Sequence, residues 1–442
     1  MSRAVGGRAG DAGLLLLLLA TAFGLTSLWR AGRHAPGIDF YQFWVVSRAV
    51  AHDGAAEIYS ARERAGIGQM FYRRALGAPE GSRMLGAARH RQVLETYSTP
   101  VLYTAFYLGL PDGYDAAYER FQLASLAALV LGLIGLGRMV GASWTLVLAL
   151  LLVVAAWFAP LLSDVHVANV NRIQLGLVAL FLWTRRGSGG AARDLASGAL
   201  LALATLFKPN LLPVVALLLL GWIARRRLRT LLAVGSGWVA GTTAGIVASS
   251  WFFGGLGCWW DWAEAVRTLP AEVAPIGRGN YALAALARDR LGGDPSALLL
   301  GAGLAAAVLA AGRWSWRIPA PARDRERREF LLDYAAVSAG CLIYLLSASL
   351  VWLHYYLLAV PAIVFVLRPD PRSGQTPTPR LLAAAAAVTL IALEPLRLVV
   401  LEPATEFALV VAGSLVLLVL TLAELRRLAL GAVAPSDTPA SG

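Results

Sequence analysis

The sequence predicts an all-α protein that crosses a membrane many times. Hydrophobic residues make up 58% of the 442-residue chain and charged residues 15%, whereas soluble domains average about 25% charged residues. The apolar runs at 14–29 and 231–253 approach or reach the roughly 20 residues that a helix needs to cross the hydrocarbon core. Arginines supply most of the net charge of +12 and cluster between apolar runs, at 185–193, 225–229, 313–328 and 368–372.

Short basic loops between apolar segments face the cytoplasm in membrane proteins. Their distribution therefore fixes the predicted topology and argues against nucleic-acid binding. The N-terminus is inside, and the first span, 12–30, is expected to be a retained anchor and not a cleaved signal peptide. Further spans are predicted near 119–138, 144–162, 170–184, 230–253, 294–312, 331–350, 353–368, 380–398 and 403–425.

Two apolar segments do not fit a single straight span. Residues 195–224 begin and end beside basic loops, which predicts a hairpin with Lys208, Pro209 and Asn210 at its apex. Residues 97–110 contain about 14 apolar positions, a length that fits either a span or a re-entrant piece, and we expect them to be half-inserted. With the two arms of the hairpin, the prediction is about 12 transmembrane helices.

Two polar regions are predicted to be extracytoplasmic, the large first loop, 31–98, and a second loop, 254–292. Segment 47–74 has near-helical spacing of apolar residues, which predicts either a helix on the membrane surface with its aromatic side chains in the headgroups or a solvated helix–loop–helix cap. The chain is expected to form a single domain over 1–428, followed by a disordered cytoplasmic tail, 429–442.

Several polar residues at the ends of apolar runs share the predicted outer face. Ionisable and amide groups near membrane depth are costly, so they indicate a functional site. Each also has a structural explanation: an exposed loop acid, a lysine reaching the interface, a histidine in an aromatic belt, or helix-capping asparagines. The residues are Asp39, Asp164, His166, Asn169, Asn171, Gln174, Lys208, Asn280 and His354.

One carboxylate and one cation beside a lipid-facing groove favour group transfer from a lipid-linked phosphate. A phosphate leaves readily, so a single general base on the acceptor hydroxyl suffices, and a cation stabilises the departing charge. Direct displacement with one base inverts the anomeric carbon. The sequence has no Walker or G-x-S-x-G motif. Its two cysteines, Cys258 and Cys341, have no metal-ligand spacing and allow at most one disulfide.

No cofactor or metal is predicted, although Asp39 together with Glu57 or Asp164 could bind a divalent cation. The main alternative function is a transporter or flippase for a lipid-linked or amphipathic solute, with Asp39 and His354 relaying protons. Such a protein should show related sequence halves and mid-membrane ionisable groups. A purely structural scaffold is a third possibility. An enzyme should place Asp39, Lys208 and His354 around one outward-opening cavity.

Several motifs carry a resemblance to a known family. The stretch after the first span resembles the D-x-x-x-[YF] signature of polyprenyl-phosphate-sugar-dependent glycosyltransferases of family 87, which have the GT-C fold. Five later stretches are similar to that family's motifs in the same order, over roughly residues 10–370. The six are IDFYQFWVVSRAV, ETYSTPVLYTAFYLGL, ANVNRIQLGLVALFLW, ALLALATLFKPNLLPVVALLL, GRGNYALAAL and SASLVWLHYYLLAVPAIVFVL.

The resemblance implies an inverting transferase of the plasma or inner membrane with an extracytoplasmic active site. The resemblance implies mannose on a polyprenyl phosphate as the donor, as in the characterised mannosyltransferases of the family, although other relatives use arabinofuranosyl donors. The acceptor would be a glycolipid or glycan. Asp39 would be the general base, anchored at the membrane interface by the aromatic side chains around it, and His354 would assist at the donor or the acceptor. Donor phosphate and substrate would contact Lys208, Asn169, Asn171, Asn280, Tyr97 and Tyr355. Asn169 stands where the family often has glutamine, and Tyr355 replaces a second histidine.

Overall fold

The computed structural model describes residues 3–55, 57–187, 190–272, 279–312, 322–370, 373–392 and 402–430. These residues form α-helices and no strands, which confirms the predicted all-α class. The helices are α1 (Arg3–His34), α2 (Ile38–Asp53), α3 (Ala61–Ala75), α4 (Arg83–His90), α5 (Pro100–Gly109), α6 (Tyr114–Met139), α7 (Trp144–Trp157), α8 (Ala159–Val167), α9 (Asn171–Arg185), α10 (Ala191–Phe207), α11 (Leu212–Ala224), α12 (Leu228–Phe252), α13 (Gly257–Glu272), α14 (Leu283–Leu291), α15 (Ser296–Gly312), α16 (Ala322–Ser347), α17 (Val360–Val366), α18 (Thr378–Ala392) and α19 (Pro403–Leu430). Two 3-10 helices, Pro209–Leu211 and Leu353–Ala359, precede α11 and α17.

Five helices among the described residues are long and apolar enough to cross a membrane. They are Ala12–His34, Tyr114–Met139, Leu228–Phe252, Arg325–Ser347 and Pro403–Leu430. The pair α8 and α9 would make a sixth span, although it bends by 118°. Shorter apolar helices fill much of the remaining predicted pattern. The structure therefore indicates a membrane protein, and the total of about 12 spans stays a prediction.

The outer surface of the helix assembly is apolar, as a lipid environment requires. On α1, Leu16 and Phe23 are 68% and 73% exposed, and on α12, Val247 and Trp251 are 61% and 83% exposed. By contrast, α16 is enclosed by α11, α15, α17 and α19. Exposed apolar faces of this extent are covered by lipid or by another protein in a folded state.

Helices α10 and α12 pack closely because glycines face each other. A Cβ on Gly198 would lie 2.0 Å from the carbonyl oxygen of Val234, and one on Gly237 would lie 2.0 Å from that of Leu195. Small residues of this kind let membrane helices approach at backbone distance. This contact fixes the position of α10, and with it the position of Lys208, the residue that follows its last turn.

The first polar region folds into α2, α3 and α4, which pack on one another and on α5. Tyr59 and Phe71 are buried, and the ring of Phe71 lies 6.0 Å from that of Trp44. The expectation that the aromatic side chains of segment 47–74 lie in the headgroups is therefore wrong, because they form part of an internal aromatic core. Helix α5 has ten residues, roughly 15 Å of rise, which agrees with a segment that does not cross.

Charged side chains gather at the end of the assembly where α9 stops and α10 begins. Asp333 of α16 accepts hydrogen bonds from Arg225 Nη2 over 2.6 Å and from Trp222 over 2.9 Å, and it also pairs with Arg185. A second buried carboxylate, Glu424, accepts from Arg368 and Arg380. The described residues of the predicted basic loops at 185–193, 225–229 and 368–372 therefore lie at one end of the protein, and Lys208 lies at the opposite end of α10.

Some predicted segments fall outside the described residues. They include part of the second outer loop, 273–278, the end of the predicted span 380–398, and most of the tail, since α19 runs to Leu430. Cys258 and Cys341 are both buried and unpaired, so the disulfide that the sequence allowed does not form.

Candidate active site

One cavity brings together most of the residues that the sequence predicted for a site. Its volume is about 550 Å³. It lies between the α2–α4 region and the ends of α10 and α16, at the end of the assembly opposite the arginine-rich cluster. Among the predicted residues, it is lined by Asp39, Tyr97, Asn169, Lys208, His354 and Tyr355.

The chain reaches Asp39 through a sharp turn between α1 and α2. Gly37 has φ +61°, and its N–H donates to the carbonyl oxygen of His166 over 3.2 Å. A Cβ at Gly37 would lie 2.4 Å from the ring of Tyr118. Both the backbone angle and the space therefore require glycine. The turn places Asp39 in the first turn of α2, where the positive end of the helix dipole stabilises a negative charge.

The aromatic residues after Asp39 pack inside the protein. Phe40, Tyr41, Phe43 and Trp44 are all buried. The ring of Phe40, for example, lies 5.1 Å from that of Tyr118. The sequence suggested that these side chains anchor Asp39 at the membrane interface. That interpretation is wrong, because they attach α2 to α5 and α6 and so fix the position of Asp39 relative to the transmembrane helices.

The Asp39 carboxylate contacts a different set of groups on each oxygen. Oδ2 accepts from Asn169 Nδ2 over 2.7 Å, and His354 Nε2 lies 3.9 Å from it. Oδ1 accepts from Arg91 Nη2 over 3.2 Å and from Gln42 Nε2 over 3.4 Å. Although Asp39 is only 6% exposed, it lines the cavity. Its two oxygens thus face two sides of the site.

Lys208 occupies the apex of the predicted hairpin, between α10 and the 3-10 helix that starts at Pro209. Its ammonium donates to Asn169 Oδ1 over 3.1 Å and to Asn171 Oδ1 over 2.8 Å. It also lies 3.7 Å from the centre of the Tyr355 ring, a geometry that adds cation–π attraction. Asn169 therefore joins Lys208 to Asp39, since its amide nitrogen donates to Asp39 and its amide oxygen accepts from Lys208.

A buried ion pair, Asp164 with Arg172, holds the Asn171 side chain that accepts from Lys208. The carboxylate of Asp164 accepts from Arg172 Nε over 2.7 Å and from Asn171 Nδ2 over 2.9 Å. Burial lowers the pKa of the Lys208 ammonium to about 7, while the nearby carboxylates of Asp164 and Asp39 act in the opposite direction. A phosphate in the cavity would favour the charged form of Lys208, because an adjacent anion stabilises the cation.

His354 belongs to the 3-10 helix Leu353–Ala359, and its imidazole stacks edge-on against Tyr355, with 4.9 Å between ring centres. Its side chain is only 8% exposed. None of the described residues forms a hydrogen bond with Nε2 of His354. Buried polar atoms usually have a partner. His354 is nevertheless one of the residues that line the cavity.

Two of the residues predicted to contact donor phosphate or substrate, Asn280 and Asn171, do not line the cavity. The side-chain oxygen of Asn280 accepts from the backbone N–H groups of Val351 and Ala282, over 3.0 and 3.1 Å, and so shapes the segment that leads to His354. Asn171 is fully buried and reaches the site only through Lys208 and Asp164. A direct contact between either asparagine and substrate stays a prediction.

The structure adds site residues that the sequence did not indicate. They are Gln42, Arg91 and Glu95, which lie on the α2–α4 side, and Asn210, whose side chain pairs with Gln174. Gln42 follows Asp39 by three residues on a helix, and that spacing places both on one face. Arg91 and Glu95 gave no such signal, because they come from an irregular stretch of a loop rich in arginine.

The carboxylates do not form a metal site within the part of the chain that the structure describes, where no cluster of three histidine, cysteine or acidic residues occurs. The Asp164 carboxylate is occupied by Arg172 and Asn171, and Glu57 does not line the cavity. The arrangement offers a carboxylate that can accept a proton, a cation that can hold an anion, and an imidazole 3.9 Å from the carboxylate.

The model of glycosyltransferase family 87 matches residues 96–348, more than half of the sequence. No curated protein and no solved structure matches the chain. The matched region contains Tyr97, Asn169 and Lys208. Asp39 precedes this region and His354 follows it, so the case for those two residues rests on their position in the cavity.

Proposed function

Because the chain belongs to glycosyltransferase family 87, we propose that it transfers a sugar from a polyprenyl phosphate donor to a hydroxyl of a glycolipid or glycan. Mannose is the donor sugar that we expect, with arabinofuranose as the competing choice. The proposal rests on one observation above all. Asn169 donates to Asp39 and accepts from Lys208 in the wall of a single cavity.

In the proposed reaction Asp39 acts as general base. The acceptor hydroxyl oxygen attacks the anomeric carbon of the donor sugar while its proton passes to the Asp39 carboxylate. The bond between that carbon and the phosphate oxygen breaks, and the phosphate departs with the electron pair. Lys208 holds the phosphate as its charge develops. Attack opposite the leaving group inverts the anomeric carbon, and His354 hydrogen-bonds a sugar hydroxyl through Nε2.

The remaining cavity wall suits a lipid donor. Leu212, Leu300 and Leu350 also line the cavity, and they belong to or adjoin the apolar helices α11, α15 and α16. A prenyl chain can lie along such a surface while its phosphate reaches Lys208. Tyr355, which covers one face of the Lys208 ammonium, would then lie next to the phosphate.

The distribution of charge supports an extracytoplasmic site in the plasma or inner membrane. The arginine cluster around Asp333 and the ammonium of Lys208 lie at opposite ends of α10, which has 17 residues and so a rise of roughly 25 Å. Arginine-rich loops stay in the cytoplasm. We propose a single catalytic domain over 1–428 with about 12 spans and the GT-C fold, the loop 31–98 outside, and a cytoplasmic tail.

The transporter alternative is not favoured, because family membership indicates glycosyl transfer. The proposed transfer uses only side chains of this chain and involves no metal or other cofactor. Its reactants are the polyprenyl phosphate donor, the acceptor and the surrounding bilayer, with no part for nucleic acid.

The donor class can be tested with the purified full-length protein in liposomes. We expect polyprenyl phosphomannose, or its arabinofuranose counterpart, to be consumed with release of polyprenyl phosphate, and a nucleotide-activated mannose to be left intact. The Lys208→Met variant should require a higher donor concentration for the same rate. Use of the nucleotide sugar, with the polyprenyl donor untouched, would reject the proposal.

A further inference from the structure

The two oxygens of Asp39 contact different parts of the cavity wall, which we call the membrane side, formed by the transmembrane helices, and the loop side, formed by the α2–α4 region. Oδ2 faces Asn169, and through it Lys208, among the transmembrane helices. Oδ1 faces Arg91 and Gln42 in the α2–α4 region. On the proposed function, the phosphate lies on the membrane side. The loop side is then available to the acceptor.

A second carboxylate, Glu95, lines the loop side of the same cavity. The Arg91 guanidinium holds it, because Nη1 donates to Glu95 Oε1 over 2.9 Å while Nη2 donates to Asp39 Oδ1 over 3.2 Å. The backbone N–H of Glu95 donates to Gln42 Oε1 over 3.1 Å, and Gln42 also contacts Asp39. Glu95 is therefore tied to Asp39 by two independent routes.

Stability alone does not account for this arrangement. The Glu95 side chain is 49% exposed, and exposed ion pairs contribute little to folding. The Arg91 side chain is only 14% exposed. A largely buried guanidinium that joins two carboxylates at a cavity wall sets the position of both. Ionised carboxylates only accept hydrogen bonds, so the pair suits a ligand with several hydroxyl donors and repels a phosphate.

We propose that Glu95 binds a second hydroxyl of the acceptor, next to the hydroxyl that Asp39 deprotonates, and that Arg91 positions Glu95 for this contact. The inference rests on the proposed function and adds to it the side chain that selects the acceptor. The acceptor presents a sugar or polyol with neighbouring hydroxyls, and an isolated alcohol is a poor substrate. Glu95 exchanges no proton in the reaction, and the proton of the attacking hydroxyl goes to Asp39.

The test uses the reconstituted full-length protein with polyprenyl phosphomannose, octyl glycosides of several sugars, their monodeoxy analogues, and octanol. We expect transfer to at least one glycoside and none to octanol. Loss of the hydroxyl next to the reacting one should lower kcat/KM by about 10-fold or more, as expected when a site loses a designed hydrogen bond. The Glu95→Gln substitution should lower kcat/KM for the intact glycoside by a similar factor. It should not lower kcat/KM for the deoxy analogue any further, because that analogue already lacks the hydroxyl that Glu95 binds.

Controls separate this inference from the proposed function. Glu80→Gln removes an exposed carboxylate of the same loop that does not line the cavity, and it should leave the acceptor KM unchanged. The donor KM should not change in Glu95→Gln. Arg91→Gln should raise the acceptor KM, with no further increase when combined with Glu95→Gln, and Arg91→Lys should restore part of the loss.

Wild-type protein that transfers to octanol as well as to glycosides, or that hydrolyses the donor and uses no glycoside, would overturn the Glu95 inference and leave the transferase in place. The Glu95 inference would also be overturned if the ratio of kcat/KM between the intact glycoside and its deoxy analogue were the same in Glu95→Gln as in wild type. Wild-type protein that neither transfers nor hydrolyses the donor would reject the proposed function, and the inference with it.

Discussion

Nε2 of His354 lies 3.9 Å from Oδ2 of Asp39, and none of the described residues hydrogen-bonds to that nitrogen. An unpartnered buried polar atom costs stability and is often retained for function at the expense of stability. We predict that His354→Leu keeps or raises the melting temperature in detergent while kcat/KM for the donor falls by about 10-fold or more, the value of a hydrogen bond made to substrate. A lower melting temperature with unchanged kcat/KM would make His354 a packing residue.

Lys208 gives the site a predicted pH dependence. Burial lowers the pKa of its ammonium to about 7, so the free site loses the charge as the pH rises through 7, and donor binding to the charged form weakens. We predict that the donor KM rises by about 10-fold between pH 7 and pH 8.5, as a single titration in this range allows. Initial rates at varied donor concentration measure it.

The matched variant for this titration is Lys208→Arg. Arginine stays charged throughout this range, so its donor KM should be nearly constant with pH, even if its absolute value is higher. An unchanged pH dependence in Lys208→Arg would assign the titration to another group.

Gly37 should be indispensable for the position of Asp39. Gly37→Ala places a methyl group against the Tyr118 ring in addition to the strain of a positive φ. Gly54 also has a positive φ, +68°, but a Cβ there meets open space. Alanine in the left-handed region costs roughly 1–2 kcal/mol, and overpacking costs about 1–3 kcal/mol more. Thermal unfolding should therefore show a larger loss for Gly37→Ala, together with a lower kcat. Equal losses would contradict the Tyr118 contact.

The proposed orientation can be read from cysteine labelling. Cys258 and Cys341 are buried, so a cysteine introduced at an exposed position is the main reactive thiol. We predict that Glu80→Cys reacts with a membrane-impermeant maleimide in intact cells, and that Arg186→Cys reacts only after the membrane is opened. The reverse pattern would place the cavity on the cytoplasmic side.

Patterns of length and charge were sufficient for much of the fold. The two short arms around Lys208 predicted the hairpin that α10 and α11 form, and the spacing of basic loops predicted which helix ends lie together. The environment of the aromatics after Asp39 was not predictable in the same way. A protein core and a membrane interface both favour aromatic residues, so the sequence could not distinguish them.

The site was only partly predictable for a related reason. Asp39, Lys208 and His354 stand out because each is a rare ionisable group in or beside an apolar run. Arg91 and Glu95 lie in a polar loop with many charges, where no periodicity indicates which side chains turn inward. Asn280 was conspicuous in sequence, yet its amide oxygen bonds to backbone. Only the packing of α4 against α2 reveals the pairing of Arg91 with Asp39.

The most direct test of the account is the turnover of polyprenyl phosphomannose, with a glycoside acceptor, by wild type and by Asp39→Asn in liposomes. Asparagine has the size of aspartate and cannot take up the acceptor proton, so we predict that kcat falls by about 10²–10⁴-fold while donor binding persists. Asp53→Asn, on the same helix and paired with Arg74, should stay within about 2-fold, since Asp53 lies outside the cavity and surface changes are near neutral. Turnover by Asp39→Asn at the wild-type rate would contradict the assignment of Asp39 as the base.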